Sequence, residues 1–179
     1  MPESQKIGRV RQALRSATAQ DHERVDALFA DFSLNSAPDY AAFLTAHARA
    51  LAPLEAAAVP DATRIGLLAD DLATLGEAMP APLPMAQQGG EAFQWGLRYA
   101  LEGSRLGGGY LARKVAPGLP VAYLSAVHEK GGWAAFQARL DAAAEEQDDA
   151  WIDEAVRGAR VAFDLFAQAG SATRLEPHG

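Results

Sequence analysis

Apolar residues recur every third or fourth position along almost the whole chain, a repeat that matches the roughly 3.6-residue turn of an amphipathic helix and no strand. Valine and isoleucine are sparse, alanine is abundant, and no Asn-Gly or Asp-Gly turn joins two alternating apolar runs. The expected class is therefore all-α. With 179 residues the chain can close one core without a disulfide or metal clip, so a single domain over residues 1–170 with a frayed tail at 171–179 is expected.

The breaks in the pattern set the element boundaries. A first helix is expected from about Ser4 to Asp31, with Val10, Leu14, Thr18, His22, Val25 and Phe29 on one face. A second starts near Pro38 or Asp39 and carries Tyr40, Phe43, Leu44, His47, Leu51 and Leu54, with Pro53 kinking or shortening its end. A third, Ala62 to about Leu75, stops at Gly76. The proline-rich segment Glu77–Gly90 reads as a surface connection. Later helices are expected from Glu91 into the cluster Gly103, Gly107, Gly108 and Gly109, from Val121 to Ala144 with an interruption at Gly131-Gly132, and from Asp148 to Ala169.

Composition removes several function classes. There are 16 Lys+Arg against 23 Asp+Glu, a net charge of -7, so no global positive field exists to collect nucleic acid. Cysteine is absent, which excludes thiol nucleophiles, iron–sulfur clusters and Cys-ligated zinc. No run approaches the length of a membrane span, and the polar N-terminus lacks an apolar targeting core, so a soluble cytoplasmic protein is expected. No Glu precedes a His by three residues, which removes the usual carboxylate-bridged di-iron motif, and no Gly-x-Ser-x-Gly elbow exists. The acidic run Glu145, Glu146, Asp148, Asp149 reads as a helix junction with Asp148 or Asp149 as its N-cap.

Two features remain. His22 and His47 lie on equivalent apolar stripes, where an imidazole either hydrogen-bonds inside the core or faces a ligand; position alone does not choose. Asp26, four residues after His22, can accept one ring N–H and leave the other nitrogen free for a metal. The glycine cluster is the second feature, because each glycine in a helix interior costs roughly 1 kcal/mol relative to alanine. Either the segment is a loop, or Gly103 and Gly107, four apart on one face, admit something flat against the backbone. A phosphate cradle does not match, since no Gly-Lys-Ser/Thr ending follows.

Taken together, the run Leu14-Arg-Ser-Ala-Thr-Ala-Gln-Asp-His22-Glu-Arg-Val-Asp26 and the later Tyr99-Ala-Leu-Glu-Gly103-Ser-Arg-Leu-Gly107-Gly108 resemble the two signature helices of the heme oxygenases, of the short bacterial biliverdin-producing kind. Tyr40-Ala-Ala-Phe43-Leu44, Leu54-Glu55, the Asp70–Gly76 segment and Trp133-Ala-Ala-Phe136 recur in family order, so the resemblance covers about Arg9 to Phe166. It implies a helical bundle holding heme between the N-terminal helix and a kinked glycine-rich helix, and an O₂- and reductant-dependent cleavage of heme to biliverdin, CO and ferrous iron.

The resemblance also assigns roles. His22 becomes the axial iron ligand, oriented by Asp26, and Gly103, Ser104, Gly107 and Gly108 line the open distal face where O₂ reacts. Arg15, seven residues before His22 and so roughly 10 Å along the same helix, and Arg139 are the expected propionate partners. Arg98, Arg105, Arg113 and Lys114 form an expected docking patch for an electron donor, a ferredoxin or a flavoprotein reductase. A phytochrome-type photoreceptor is an expected recipient of biliverdin. Two departures matter: Ser104 stands where mammalian relatives carry Asp, and Gly109 adds a glycine to the pattern. The competing readings are a non-catalytic heme carrier on the same fold and another enzyme on a similar helical scaffold, a thiamine-pyrimidine hydrolase, which lacks its cysteine nucleophile here.

Overall fold

A computed structural model describes residues 8–175, which form six helices and no strand: α1 (Arg9–Phe29), α2 (Ala37–Ala58), α3 (Ile65–Thr74), α4 (Glu91–Ala112), α5 (Gly132–Ala144) and α6 (Asp149–Leu175). The expected start of the first helix at Ser4 lies outside the described residues. None of the helices is long and apolar enough to cross a membrane.

The long helix α6 is the spine, with α4, α1 and α2 packed around it. It meets α4 backbone to backbone. A Cβ at Gly96 would overlap the Ala155 carbonyl and one at Gly158 would overlap the Phe93 carbonyl, so both positions exclude any side chain. On its other side α6 runs beside α1, joined by a ladder of ion pairs in which Arg24 meets Asp164 and Arg160 meets Asp21. The main core gathers Tyr40, Phe43, Leu44, Leu51 and Leu54 of α2 with Leu97, Leu101 and Phe166. A second, smaller core joins Val10 and Leu14 of α1 to Phe136 and Leu140 of α5 and Ile152 of α6.

Three boundaries differ from the sequence expectation, each for a visible reason. First, α2 continues beyond Pro53 to Ala58, so the proline does not end it. Proline removes the N–H that would bond the carbonyl four residues back, and that carbonyl, Arg49, instead accepts the Leu83 N–H at 2.9 Å from the connecting segment. The proline-rich connection is thereby docked onto α2. Second, residues 121–131 are turns rather than the first half of a helix, and α5 begins only at Gly132, after Gly131 at φ 81°. The Asp71 carboxylate takes the N–H groups of Ala122 and Tyr123 at 3.3 and 2.9 Å, which diverts the donors into a side-chain cap. Third, α6 continues past Gly170 to Leu175 instead of ending at Ala169 in a frayed tail. A Cβ at Gly170 would sit 3.2 Å from the Phe29 ring, so this glycine serves packing between α1 and α6 rather than helix termination. Residues 176–179 lie outside the described residues.

Other local signals read as expected. Gly76 adopts φ 79°, and the Glu77 N–H reaches back to the Leu72 carbonyl at 2.9 Å, closing α3. Asp148 caps α6 through the Trp151 N–H at 3.0 Å.

Candidate functional site

The structure separates the two histidines that share a stripe pattern. His47 is packed among Phe29, Phe43 and Phe166, and its Nδ1 shares a 2.7 Å hydrogen bond with the Tyr123 hydroxyl. Burial, with the nearby Arg64 charge as the lesser cause, pulls its pKa down to about 3. It is a neutral core histidine. His22, in contrast, has 65% of its side chain exposed, its ring edge-on to Phe163 of α6 at 6.0 Å. Its Nδ1 lies 3.4 Å from Oδ2 of Asp26, and its Nε2 has no protein partner among the described residues. An imidazole held this way offers one nitrogen to a metal.

The glycine cluster is equally divided. Helix α4 runs unbroken from Glu91 to Ala112 through all four glycines, so the loop alternative does not apply. At Gly107 an added Cβ would meet nothing within 4 Å, and at Gly103 only the edge of Trp133 at 3.7 Å. At Gly108 it would press on the Leu124 carbonyl at 3.0 Å, and at Gly109 on the Val127 side chain at 2.6 Å. Gly103 and Gly107 therefore present bare backbone to open space, while Gly108 and Gly109 let the 121–128 segment lie against the helix.

The hydroxyl of Ser104 is committed elsewhere. It donates to the Leu101 carbonyl at 2.6 Å and accepts from Arg64 Nη2 at 2.6 Å. Arg64, only 2% exposed, also donates to the Leu101 carbonyl, and its own N–H and that of Ile65 rest on the Glu55 carboxylate. This buried set steadies the helix around its glycines. Nothing in the sequence around Arg64 marks it, because its partners come from three separate segments.

Arg15 is exposed on α1, close enough for its charge to oppose the burial that pushes the Tyr99 hydroxyl pKa up. Helices α1 and α4 thus approach one another near Arg15 and Tyr99, where α5 bridges them, but they do not pack along their length. Arg139 is also exposed, and it pairs with Asp61 at 3.0 Å. The expected basic docking patch is dispersed. Arg105 is buried, giving hydrogen bonds to the Ala62 and Ala126 carbonyls, and Arg98 donates to the Ala58 carbonyl while lying over Trp95. Only Arg113 and Lys114 of that set are exposed, with Lys114 over the Tyr110 ring.

The pattern that sequence reading did not reach is Glu102, His128 and Trp133. Glu102 receives both His128 Nε2 at 2.6 Å and Arg105 Nε at 3.2 Å. The Glu102–Arg105 spacing of three on one helix was the available signal; the His128 partner arrives from a segment expected to be helical.

A flat, iron-containing ring fits these residues on two counts: an exposed histidine with a free nitrogen, and a helix face stripped to backbone at two positions one turn apart. Two open surface clefts lie elsewhere. One is bounded by Glu91 and Trp151, the other by Arg157 and Asp164.

No family model matches the chain. A heme oxygenase of Xanthomonas campestris pv. campestris is 37% identical over 113 residues, 58% of this chain and 64% of that protein, so the match spans less than two thirds of the relative's length. A crystal structure of the NO- and CO-bound heme oxygenase of Neisseria meningitidis shares the fold with a TM-score of 0.75 at 24% identity, covering 95% of this chain and 94% of that one. The chain therefore has the fold of that heme oxygenase and is similar in sequence, over part of its length, to a second bacterial one.

Proposed function

We propose that this chain is an O₂- and reductant-dependent heme oxygenase, opening the heme ring to biliverdin with release of CO and ferrous iron. The observation that carries the reading is the combination of an exposed His22, with Nε2 unpartnered among the described residues, and an α4 face on which a Cβ at Gly107 would meet no atom within 4 Å apart from its own stretch of helix. When bound, heme would supply both the iron that reduces O₂ and the carbon that is oxidised.

The chain's own residues then have limited and definite work. His22 would bind iron through Nε2, with the Asp26 carboxylate 3.4 Å from Nδ1 favouring the tautomer that leaves Nε2 free, and with Phe163 standing edge-on to the ring. Gly103 and Gly107 admit the macrocycle against the helix backbone and leave no side chain to compete with O₂. Ser104 contributes indirectly, by tying α4 to Arg64. Arg15, exposed on α1 and near enough to Tyr99 of α4 for its charge to act there, would supply a cation to a propionate. Arg139 would have to exchange Asp61 for a propionate. The electrons come from an external donor, a ferredoxin or a flavoprotein reductase, in the cytoplasm, and biliverdin passes to a photoreceptor of the phytochrome type or is discarded after iron release.

The test is a hemin titration followed by Soret absorbance, wild type beside His22→Ala, then addition of ascorbate or a ferredoxin system in air. A saturable 1:1 Soret band that depends on His22 and decays to biliverdin absorbance is expected. A stable band with no decay under either reductant would overturn the catalytic assignment, and no saturable band would remove heme as the ligand.

A further inference from the structure

Gly103 and Gly107 are not equivalent. Beside Gly107 the space is open, whereas the missing Cβ of Gly103 would lie 3.7 Å from Cη2 of Trp133. The bare face of α4 is therefore walled at one end by the edge of an indole.

That indole is held more firmly than a half-buried side chain requires. It stacks on Phe136 with centroids 5.7 Å apart and planes 17° from parallel, and it contacts the rings of Tyr99 and His128, each at 6.0 Å. His128 is itself fixed through Nε2 to Glu102, the residue directly before Gly103. Arg105 shares that carboxylate and is anchored by two backbone carbonyls, so Glu102 stays an acceptor and His128 donates to it. The other ring nitrogen, Nδ1, is left buried with no hydrogen-bond partner. An unpaired buried nitrogen weakens a fold rather than strengthening it. What the arrangement secures is the position of the rings: glycine-helix backbone, Glu102, His128 and Trp133 are linked in one chain of contacts.

We propose that Trp133, held against Gly103 by the Glu102–His128 pair, determines the in-plane rotation at which the macrocycle seats, and through it which ring-edge carbon is opened. His128 is a positioning residue that acts through Trp133. The inference rests on the heme-cleaving reading above. A porphyrin advancing along the Gly107 face meets the indole edge at Gly103. Its periphery is uneven, with methyl, vinyl and propionate groups, so a fixed wall selects one rotation among several that His22 alone would permit.

The experiment uses hemin bound to the full chain in the ferric cyanide form, comparing wild type with Trp133→Ala, Trp133→Phe and His128→Phe. The hyperfine-shifted methyl proton resonances report rotation without turnover, and chromatography of the biliverdin isomers after ascorbate addition reports its consequence. Wild type should give one set of methyl resonances and one dominant isomer. Trp133→Ala should give a second set and a second isomer, while hemin affinity changes by less than about tenfold because His22 is untouched. His128→Phe keeps a ring beside Trp133 but loses the Glu102 tie, and should fall between the two. Should Trp133→Ala not fold, Trp133→Phe, which shortens the wall and keeps the stack on Phe136, should carry the same change in smaller degree. Unchanged methyl patterns and isomers in a hemin-bound Trp133 variant would overturn the inference and leave the heme reading standing. Wild type failing to give a His22-dependent Soret band would overturn both.

Discussion

His22 on α1 and His47 on α2 follow the same sequence logic and have opposite fates. Each lies on an apolar stripe of a helix of more than twenty residues. The difference is what stands opposite. Around His47, Phe29, Phe43, Tyr123 and Phe166 close from α1, α2, α6 and the 121–131 turns, so the imidazole is solvated by rings and one hydroxyl. Around His22, Phe163 is the one ring in contact among the described residues, Asp26 of the same helix is the charged neighbour, and α4 does not pack along α1. A stripe identifies the face a helix turns inward; whether that face is filled depends on how many neighbours reach it.

The largest effect should come from exchanging the two roles. His22→Ala should reduce hemin affinity by at least about a hundredfold, as loss of a metal ligand does, with thermal stability within about 0.5 kcal/mol of wild type because the side chain is exposed. His47→Ala should do the reverse. Its cavity and the orphaned Tyr123 hydroxyl should cost on the order of 2–4 kcal/mol in urea unfolding, while the folded fraction binds hemin normally. If His22→Ala destabilises the apoprotein and His47→Ala abolishes binding, the assignment of the two histidines is inverted.

The same contrast has a pH signature. His47 is held neutral in the fold, with its pKa lowered from 6.5 to about 3, while in the unfolded chain it protonates at its ordinary value. The unfolded state therefore binds more protons between those limits, so this group's contribution is fully present above pH about 6.5 and is lost progressively as pH falls toward 3. The apoprotein should lose on the order of a few kcal/mol across that window. A His47→Gln variant, which keeps a polar partner for Tyr123, should show a flatter profile. Parallel profiles for the two proteins would show that His47 is not the group responsible.

How much of this was legible before the structure is instructive in the same terms. The helical class, the apolar stripes, the Gly76 stop and the Asp148 cap all depend on interactions within a few residues, and sequence spacing reports them. The errors at Pro53, at residues 121–131 and at Gly170 share one cause: a partner distant in sequence satisfied or displaced a local signal. Leu83 supplied the donor for the Arg49 carbonyl, Asp71 took the donors of Ala122 and Tyr123, and Phe29 occupied the space over Gly170. The site shows the same division. His22 and the glycines stand out as local oddities on helices, but Arg64, Glu102, His128 and Trp133 acquire meaning only once four segments are brought together.

A smaller effect should sharpen the division within the glycine cluster. Gly107→Ala fills open space in a helix interior and should stabilise the apoprotein by roughly 0.5–1 kcal/mol while weakening hemin binding. At Gly108 the Cβ meets the Leu124 carbonyl at 3.0 Å, a backbone atom with little freedom to retreat, so Gly108→Ala should cancel the propensity gain and lose about 1 kcal/mol net. Paired thermal melts and hemin titrations check both signs. Equal stabilisation at the two positions would mean that the 121–128 segment does not hold α4 as tightly as the geometry indicates.

The smallest effect concerns the two arginines expected at the propionates. Arg139 and Asp61 form an exposed pair, 59% and 81% open to solvent, and such pairs contribute about 0–1 kcal/mol. Arg139→Gln should therefore leave apoprotein stability nearly unchanged. If Arg139 exchanges Asp61 for a propionate, the variant loses a hydrogen-bonded charge but also sheds the competing pair, and the hemin affinity should fall only a few-fold at low salt and not measurably at high salt. Arg15 has no ion pair to give up among those described, and it lies beside Tyr99 at the junction of α1 and α4, so Arg15→Gln should cost more at either salt concentration. Hemin titrations of both variants at two ionic strengths order the pair: a larger loss at Arg139 than at Arg15 would move the propionate end of the site away from the α1–α4 junction and toward the Asp61 turn.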